Sequence, residues 1–228
     1  MTTKERYERV RAELDETCRR YGRAPEEVAL VAVSKTVGPE DVDLAVQGGA
    51  TDFGENRPDQ LVLKAAQFPQ VRWHFIGNIQ SRRIRDIVGR ATLVHSLFEE
   101  SHARKIDECA RARGIVQDVL LEVNVSGELS KSGLEPDQVP VMLSLCESLP
   151  NLRVRGLMTM APQGDAEEAR RTFAGLRALR DQLAATLSPE QAACFTELSM
   201  GMSEDWREAI AEGATIVRIG RAIFSDAF

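Results

Sequence analysis

Hydrophobic and polar positions along the chain switch repeatedly between helical and strand-like spacing. Over TKERYERVRAELDETCRRY (3–21), Tyr7, Val10, Leu14 and Cys18 recur at the spacing of one helix face, and Gly22 closes the element. ALVAVSK (29–35) is then a short, β-branched, apolar run, as a strand buried on both faces requires. A helix from Pro39 to Gln47, ended by Gly48-Gly49, precedes the short strand in TDFGEN. The alternation continues with helical 57–67 before RWHFIG, 80–88 before TLVHSL and 99–113 before DVLLEVNV. Helical 136–148 precedes RVRGLMTM, 166–186 precedes CFTELSM, and 203–212 precedes ATIVRIG.

The pattern predicts eight strands, at 29–34, 51–54, 72–76, 92–96, 118–125, 153–159, 194–199 and 215–219. Strands separated by helices form parallel βαβ units with right-handed crossovers. Eight such units predict an α/β fold, a (β/α)8 TIM barrel with an extra N-terminal helix, whose chemistry lies at the C-terminal ends of the strands. An open, doubly wound sheet is the alternative. No linker, charge block or fixed-period repeat divides the chain, so residues 1–228 are expected to form a single domain.

Composition narrows the classes. With 43% hydrophobic residues among 228, the chain has enough apolar surface for a core, and disordered or fibrous classes are excluded. Aromatics are only 5%, so aliphatic side chains must fill that core. A net charge of −6 argues against a nucleic-acid partner. Cys18, Cys109, Cys146 and Cys194 form no C-x-x-C pair, and the N-terminus is charged and periodic. Reduced thiols, a cytoplasmic location and no membrane partner are therefore expected.

Lys35 is the sharpest chemical signal. Among 29 basic side chains only Lys4, Lys35, Lys64, Lys105 and Lys131 are lysines, and four of them read as helix or loop positions. Lys35 ends a buried strand, where partial desolvation favours the neutral amine that attacks a carbonyl. The other reading is a lysine that reaches from a strand end to solvent. A second signal is LSMGMSEDW (198–206), a strand, a glycine turn and a helix start. Ser203 ahead of Glu204 and Asp205 reads as an N-cap or, with Ser199 and free N–H groups near Gly201, as an anion cradle. VRIGRAIF (217–224) adds Gly220, for close approach, and the charge of Arg221. Both segments follow the last two strands, where such barrels place phosphate. His74 and His95, without a carboxylate partner in view, read as hydrogen-bonded barrel histidines rather than metal ligands. Lys131 reads as a second mouth amine or an exposed loop lysine, and Met158, Met160, Met200 and Met202 as core filler.

AVSKT (32–36), FGEN (53–56), WHFIG with QS (73–81), EVNVSGELSKSGL (122–134), RGLMTMAP (155–162), LSMGMSEDW and VRIGRAIF stand in an order and spacing that resembles the pyridoxal phosphate homeostasis protein family, over about residues 4–226. The resemblance implies a barrel like the N-terminal domain of alanine racemase, with pyridoxal 5′-phosphate held as a Schiff base on Lys35. It also implies phosphate contacts from Ser199, Met200, Ser203, Gly220 and Arg221, with Arg218 facing the pyridine nitrogen and Asn56 beside the cofactor. Many relatives carry Thr or Ser where Arg221 stands, and Tyr where this chain has Arg57-Pro58. The loop FIGNIQSRR lacks their Pro and Asn-Lys. The implied role is buffering, carriage or delivery of the cofactor, by a monomer or weak homodimer, with pyridoxal-phosphate-dependent apoenzymes as recipients. A small amino-acid racemase and a Schiff-base aldolase acting on a sugar phosphate are the alternatives. An arginine that donates to the ring nitrogen leaves it unprotonated and a poor electron sink, which disfavours racemisation. Racemisation also needs a second base, and the only tyrosines, Tyr7 and Tyr21, lie on the first helix.

Overall fold

The computed structural model describes residues 1–128 and 131–225. Eight parallel strands close into a barrel in chain order: β1 (Ala29–Val33), β2 (Asp52–Glu55), β3 (Arg72–Phe75), β4 (Leu93–Leu97), β5 (Gln117–Glu122), β6 (Leu152–Met158), β7 (Glu197–Ser199) and β8 (Ile216–Ile219). Around and between them run α1 (Thr3–Arg20), α2 (Pro39–Gln47), α3 (Pro58–Gln67), α4 (Ile84–Ile87), α5 (Glu100–Ala112), α6 (Val139–Glu147), α7 (Ala166–Ala184), α8 (Pro189–Cys194), α9 (Trp206–Ala211) and α10 (Arg221–Phe224). The closed barrel replaces the open-sheet alternative. None of the helices among the described residues is long and apolar enough to cross a membrane.

β1 pairs with β8, from Ala29↔Ile216 to Ala32↔Ile219, and so closes the barrel. α1 covers that seam. A capping box between Thr2 and Glu5 starts it, and Tyr7, Val10, Leu14 and Cys18 are all buried. It packs on α2, α9 and α10, the helices flanking the closing strands, and Arg6 Nε donates to Ile223 O of α10 at 2.8 Å.

Several boundaries differ from the sequence reading. β7 begins at Glu197, not at 194, because Ser188-Pro189 opens α8 with a capping box to Gln191. β5 ends at Glu122 rather than 125, and the helix expected over 80–88 is a tight turn at Ser81–Arg83 followed by the short α4. The helix expected over 203–212 starts at Trp206, with Asp205 rather than Ser203 at its N-cap position. Of the 122–134 stretch, positions 129 and 130 lie outside the described residues, as does position 226.

Alternate strand residues face the barrel interior and the helices. The outward rows, with Leu30, Phe53, Phe75, Leu121 and Val217, join the helices in the main core. The inward apolar set is small: Val31, Leu93, Leu120, Met158 and Ile216. The same inward rows carry Asp52, His74, His95, Glu122, Ser199 and Arg218, all buried.

Gly156 marks the one-residue register shift between β5 and β6, where Val119 pairs with Val154 but Leu120 with Gly156. Its φ is 150°, and a Cβ there would lie 2.0 Å from Glu197 O on β7. Gly156→Ala is therefore expected to lower the unfolding free energy by about 3 kcal/mol or more. Urea denaturation reads this directly, and a loss below about 0.5 kcal/mol would contradict the close approach.

Candidate functional site

A cavity of about 540 Å³ opens where the strands end, lined by residues that close or follow β1, β2, β3, β6, β7 and β8. Lys35, Asn56, Ser203, Arg218, Gly220 and Arg221 all line it. Ser199 and Met200, also expected at the phosphate, do not. The Ser199 hydroxyl is spent inside the barrel, 2.6 Å from Arg218 Nη1 and 2.8 Å from His95 Nδ1. The Met200 side chain is fully buried in the main core, and its N–H donates to Ile216 O at 3.0 Å.

Lys35 follows β1 in a turn and is exposed, not desolvated as its place after a buried strand suggested. Among the described residues its amine has no hydrogen-bond or ion-pair partner. The desolvated lysine is Lys64 on α3, 1% exposed, which the sequence reading set aside as a helix residue. Its Nζ donates to Glu55 Oε1 at 2.6 Å and to Ser34 O at 2.7 Å, while the Ser34 hydroxyl donates to the same Oε1 at 2.6 Å. This node ties the ends of β1 and β2 to α3 next to the residues that carry Lys35 and Asn56. The Asn56 backbone rests on Gly77, where a Cβ would lie 2.0 Å from Asn56 O, and Ser96 Oγ holds Gly77 O at 2.6 Å. Asn56 Oδ1 is buried with no partner among the described residues.

The opposite wall is built from two turns. Gly201 (φ 92°) presses on α9, where a Cβ would meet Ala209 Cβ at 2.6 Å, and Asp205 accepts from the Met202 N–H. Ser203 thus sits within the turn rather than capping the helix. Its hydroxyl and N–H, with the N–H groups of Glu204 and Gly220, have no acceptor among the described residues. They form a set of donors of the kind that binds an anion. Arg221 Nη2 reaches Glu204 Oε1 at 2.8 Å across the exposed rim. The loop 162–165 and the start of α7 complete the lining. Sequence reasoning missed this wall. Its one signal was Asp165, an N-cap that accepts from the N–H groups of Glu167 and Glu168.

Arg218 lies at the base, 5% exposed, and Nη2 donates to Thr159 O at 3.0 Å. Burial pulls the guanidinium down to about 10, against the raising pull of Asp205 and Glu122, so it stays charged at neutral pH. Glu122 is buried with Oε2 unpartnered, and burial pushes its carboxyl up to about 7, partly offset by Arg218. His74 does have a carboxylate partner, contrary to the sequence reading: its Nε2 lies 3.0 Å from Asp52 Oδ1. Burial alone would raise Asp52, but hydrogen bonds from His74, Arg72 and Thr51 hold it well below the usual carboxylate range. Burial, with His74 and Arg218 adding to it, keeps His95 well below the usual histidine value. Lys131 pairs with Glu128 at 3.0 Å and donates to Met160 O at 3.2 Å, without lining the cavity. Met158, Met160 and Met202 do line it.

Together these groups fit pyridoxal phosphate: an uncommitted amine, a donor-rich turn pair for a phosphate, and a buried cationic donor for a ring nitrogen. Residues 8–227 match the family of the alanine racemase N-terminal domain. A protein of Aquifex aeolicus named pyridoxal phosphate homeostasis protein is 40% identical over 99% of this chain and 99% of its own. One of the same name from Pseudomonas aeruginosa is 41% identical over 98% of this chain and 95% of its own. PipY of Synechococcus elongatus PCC7942, solved with pyridoxal phosphate bound, superposes with a TM-score of 0.80 at 32% identity, covering 93% of this chain and 100% of PipY.

Two outcomes follow for the buried charges. Lys64→Met leaves Glu55 unpaired in the interior and is expected to cost about 3–5 kcal/mol, most of it recovered in the double variant with Glu55→Gln. Equal losses in the single and double variants, by urea denaturation, would contradict the coupling. A carboxyl raised in the folded state holds its proton more tightly there. The stability it contributes is present below its unfolded value and is lost as pH climbs through about 7. Glu122→Gln is expected to exceed the parent by on the order of 1–3 kcal/mol above about pH 8, the gap closing towards about pH 4, as Tm against pH would show.

Proposed function

The chain belongs to the pyridoxal phosphate homeostasis protein family, and we propose that it binds pyridoxal 5′-phosphate as a cytoplasmic buffer or carrier rather than as an enzyme. The observation that carries this reading is the partnerless Lys35 amine, lining the same cavity as the unspent donors of Ser203 and Gly220. When bound, the cofactor supplies an aldehyde that condenses with a primary amine. Lys35 is that amine. Ser203, Glu204 and Gly220 offer N–H groups, and Ser203 a hydroxyl, to the phosphate. Arg221 can add its charge there by exchanging Glu204 for the dianion. Arg218 would donate to the ring nitrogen, and Asn56 would lie beside the cofactor.

The same residues argue against turnover. Arg218 keeps its proton at neutral pH and so leaves the ring nitrogen without one, which weakens it as an electron sink. Neither Tyr7, on the buried face of α1, nor Tyr21 at the end of that helix lines the cavity, so neither can act as a second base. On this reading residues 1–228 act as one cofactor-binding unit, and the recipients are apoenzymes that use the cofactor.

Purified protein mixed with pyridoxal phosphate is expected to show a near-visible absorption band. Borohydride should then fix a pyridoxyl group on Lys35, located by peptide mass mapping, and Lys35→Ala should lose the adduct and weaken retention at least about tenfold. No band after addition of the cofactor would overturn the reading. Steady conversion of an L-amino acid to its enantiomer, abolished by Lys35→Ala, would replace the carrier with a racemase.

A further inference from the structure

A column of hydrogen bonds runs through the barrel beneath the cavity. Asp52 Oδ1 lies 3.0 Å from His74 Nε2, and His74 Nδ1 lies 2.9 Å from His95 Nε2. His95 Nδ1 is 2.8 Å from Ser199 Oγ, to which Arg218 Nη1 donates at 2.6 Å. The two imidazoles meet edge to face, with centroids 5.1 Å apart.

The two ends of the column fix its terminal bonds. Ionised Asp52 can only accept, and Arg218 can only donate. With both imidazoles neutral, every bond has one donor and one acceptor. Arg218 gives to Ser199, the Ser199 hydroxyl to His95 Nδ1, His95 Nε2–H to His74 Nδ1, and His74 Nε2–H to Asp52. A further proton on His95 would sit on Nδ1, facing the Ser199 hydroxyl proton, and would force that proton to turn away.

The geometry points to a positioning role for His95: acting through Ser199, it holds the Arg218 guanidinium as a fixed donor towards the ring nitrogen of a pyridine ligand. This rests on the pyridoxal phosphate reading. A serine hydroxyl turns freely about its C–O bond unless an acceptor takes its proton. His95 takes it, which leaves an oxygen lone pair for Nη1, and the contact of Nη2 with Thr159 O fixes the guanidinium plane. Three of the five N–H donors of Arg218 then have no acceptor among the described residues, and Arg218 lines the cavity. Because Arg218 keeps its proton at neutrality, the column acts as a lock and not as a proton conduit.

The test uses the full chain loaded with pyridoxal phosphate carrying 15N in the ring, at neutral pH. The wild-type nitrogen is expected to resonate as an unprotonated, hydrogen-bonded acceptor. Ser199→Ala and His95→Phe should each move the resonance towards the protonated position and raise the Kd about three- to tenfold. Borohydride should still place the pyridoxyl group on Lys35 in both variants. If His95→Phe fails to fold, Ser199→Ala decides, since it removes one atom and leaves no clash. An unchanged 15N shift and Kd in folded Ser199→Ala would overturn the positioning role. Absence of any adduct in the wild type would overturn the cofactor reading instead.

Discussion

A guanidinium inside a closed barrel has lost its water, and it is tolerated only where donors and field are matched from within. Arg218 meets this condition with Ser199, the Thr159 carbonyl and the charges of Asp205 and Glu122. Much of the unusual interior follows from it. Among the described residues the inward apolar cluster is small, and the space it leaves is filled by the polar column that ends at Asp52. A barrel filled with aliphatic layers would have no way to satisfy Arg218. The weight of hydrophobic stabilisation therefore falls on the outward rows and the helices, where the main core lies.

That division separates support from chemistry. Strand-to-helix packing holds the frame, and two short-range devices transfer its rigidity to the cavity. One is the Glu55–Lys64–Ser34 node, the other the contact of Gly77 with the Asn56 backbone. Each device sits one residue from a group that lines the cavity. Binding groups placed on strand ends and braced in this way hold their geometry better than groups on free loops.

The barrel was legible because parallel strands buried on both faces leave continuous β-branched runs that Gly and helical periods interrupt. The errors have local causes. Strand seven was drawn too long because Phe195 and Leu198 extend the apolar run, although Ser188-Pro189 and Gln191 carry the opposite signal of a helix start. Lys64 reads from the sequence only as a helix or loop position, yet it stands three positions after the buried Leu61, on the same face. Ser199 was assigned to the phosphate because it adjoins a glycine turn. Adjacency to a turn does not say which face of the strand a side chain takes, whereas alternation does: Leu198 joins the main core, so Ser199 points into the barrel. The wall at 162–165 had only the capping pattern of Asp165, because loop walls are assembled by tertiary packing and leave no period in the sequence.

The contrast between the two lysines bears on the proposed role. An amine that must hold its cofactor against all exchange is best kept from water, and the fold does bury a lysine, but it is Lys64, locked to Glu55. Lys35 is left exposed at the mouth, where it would remain accessible to other amines if it held the cofactor. Of the groups proposed for the phosphate and the ring nitrogen, Ser203 in its turn and Arg218 in its column are buried, whereas Glu204 and Arg221 stand on the exposed rim. Non-covalent contacts in such a site can retain the cofactor while the covalent partner remains open to exchange. On the proposed carrier reading, that arrangement suits a molecule that must both keep a reactive aldehyde and give it up.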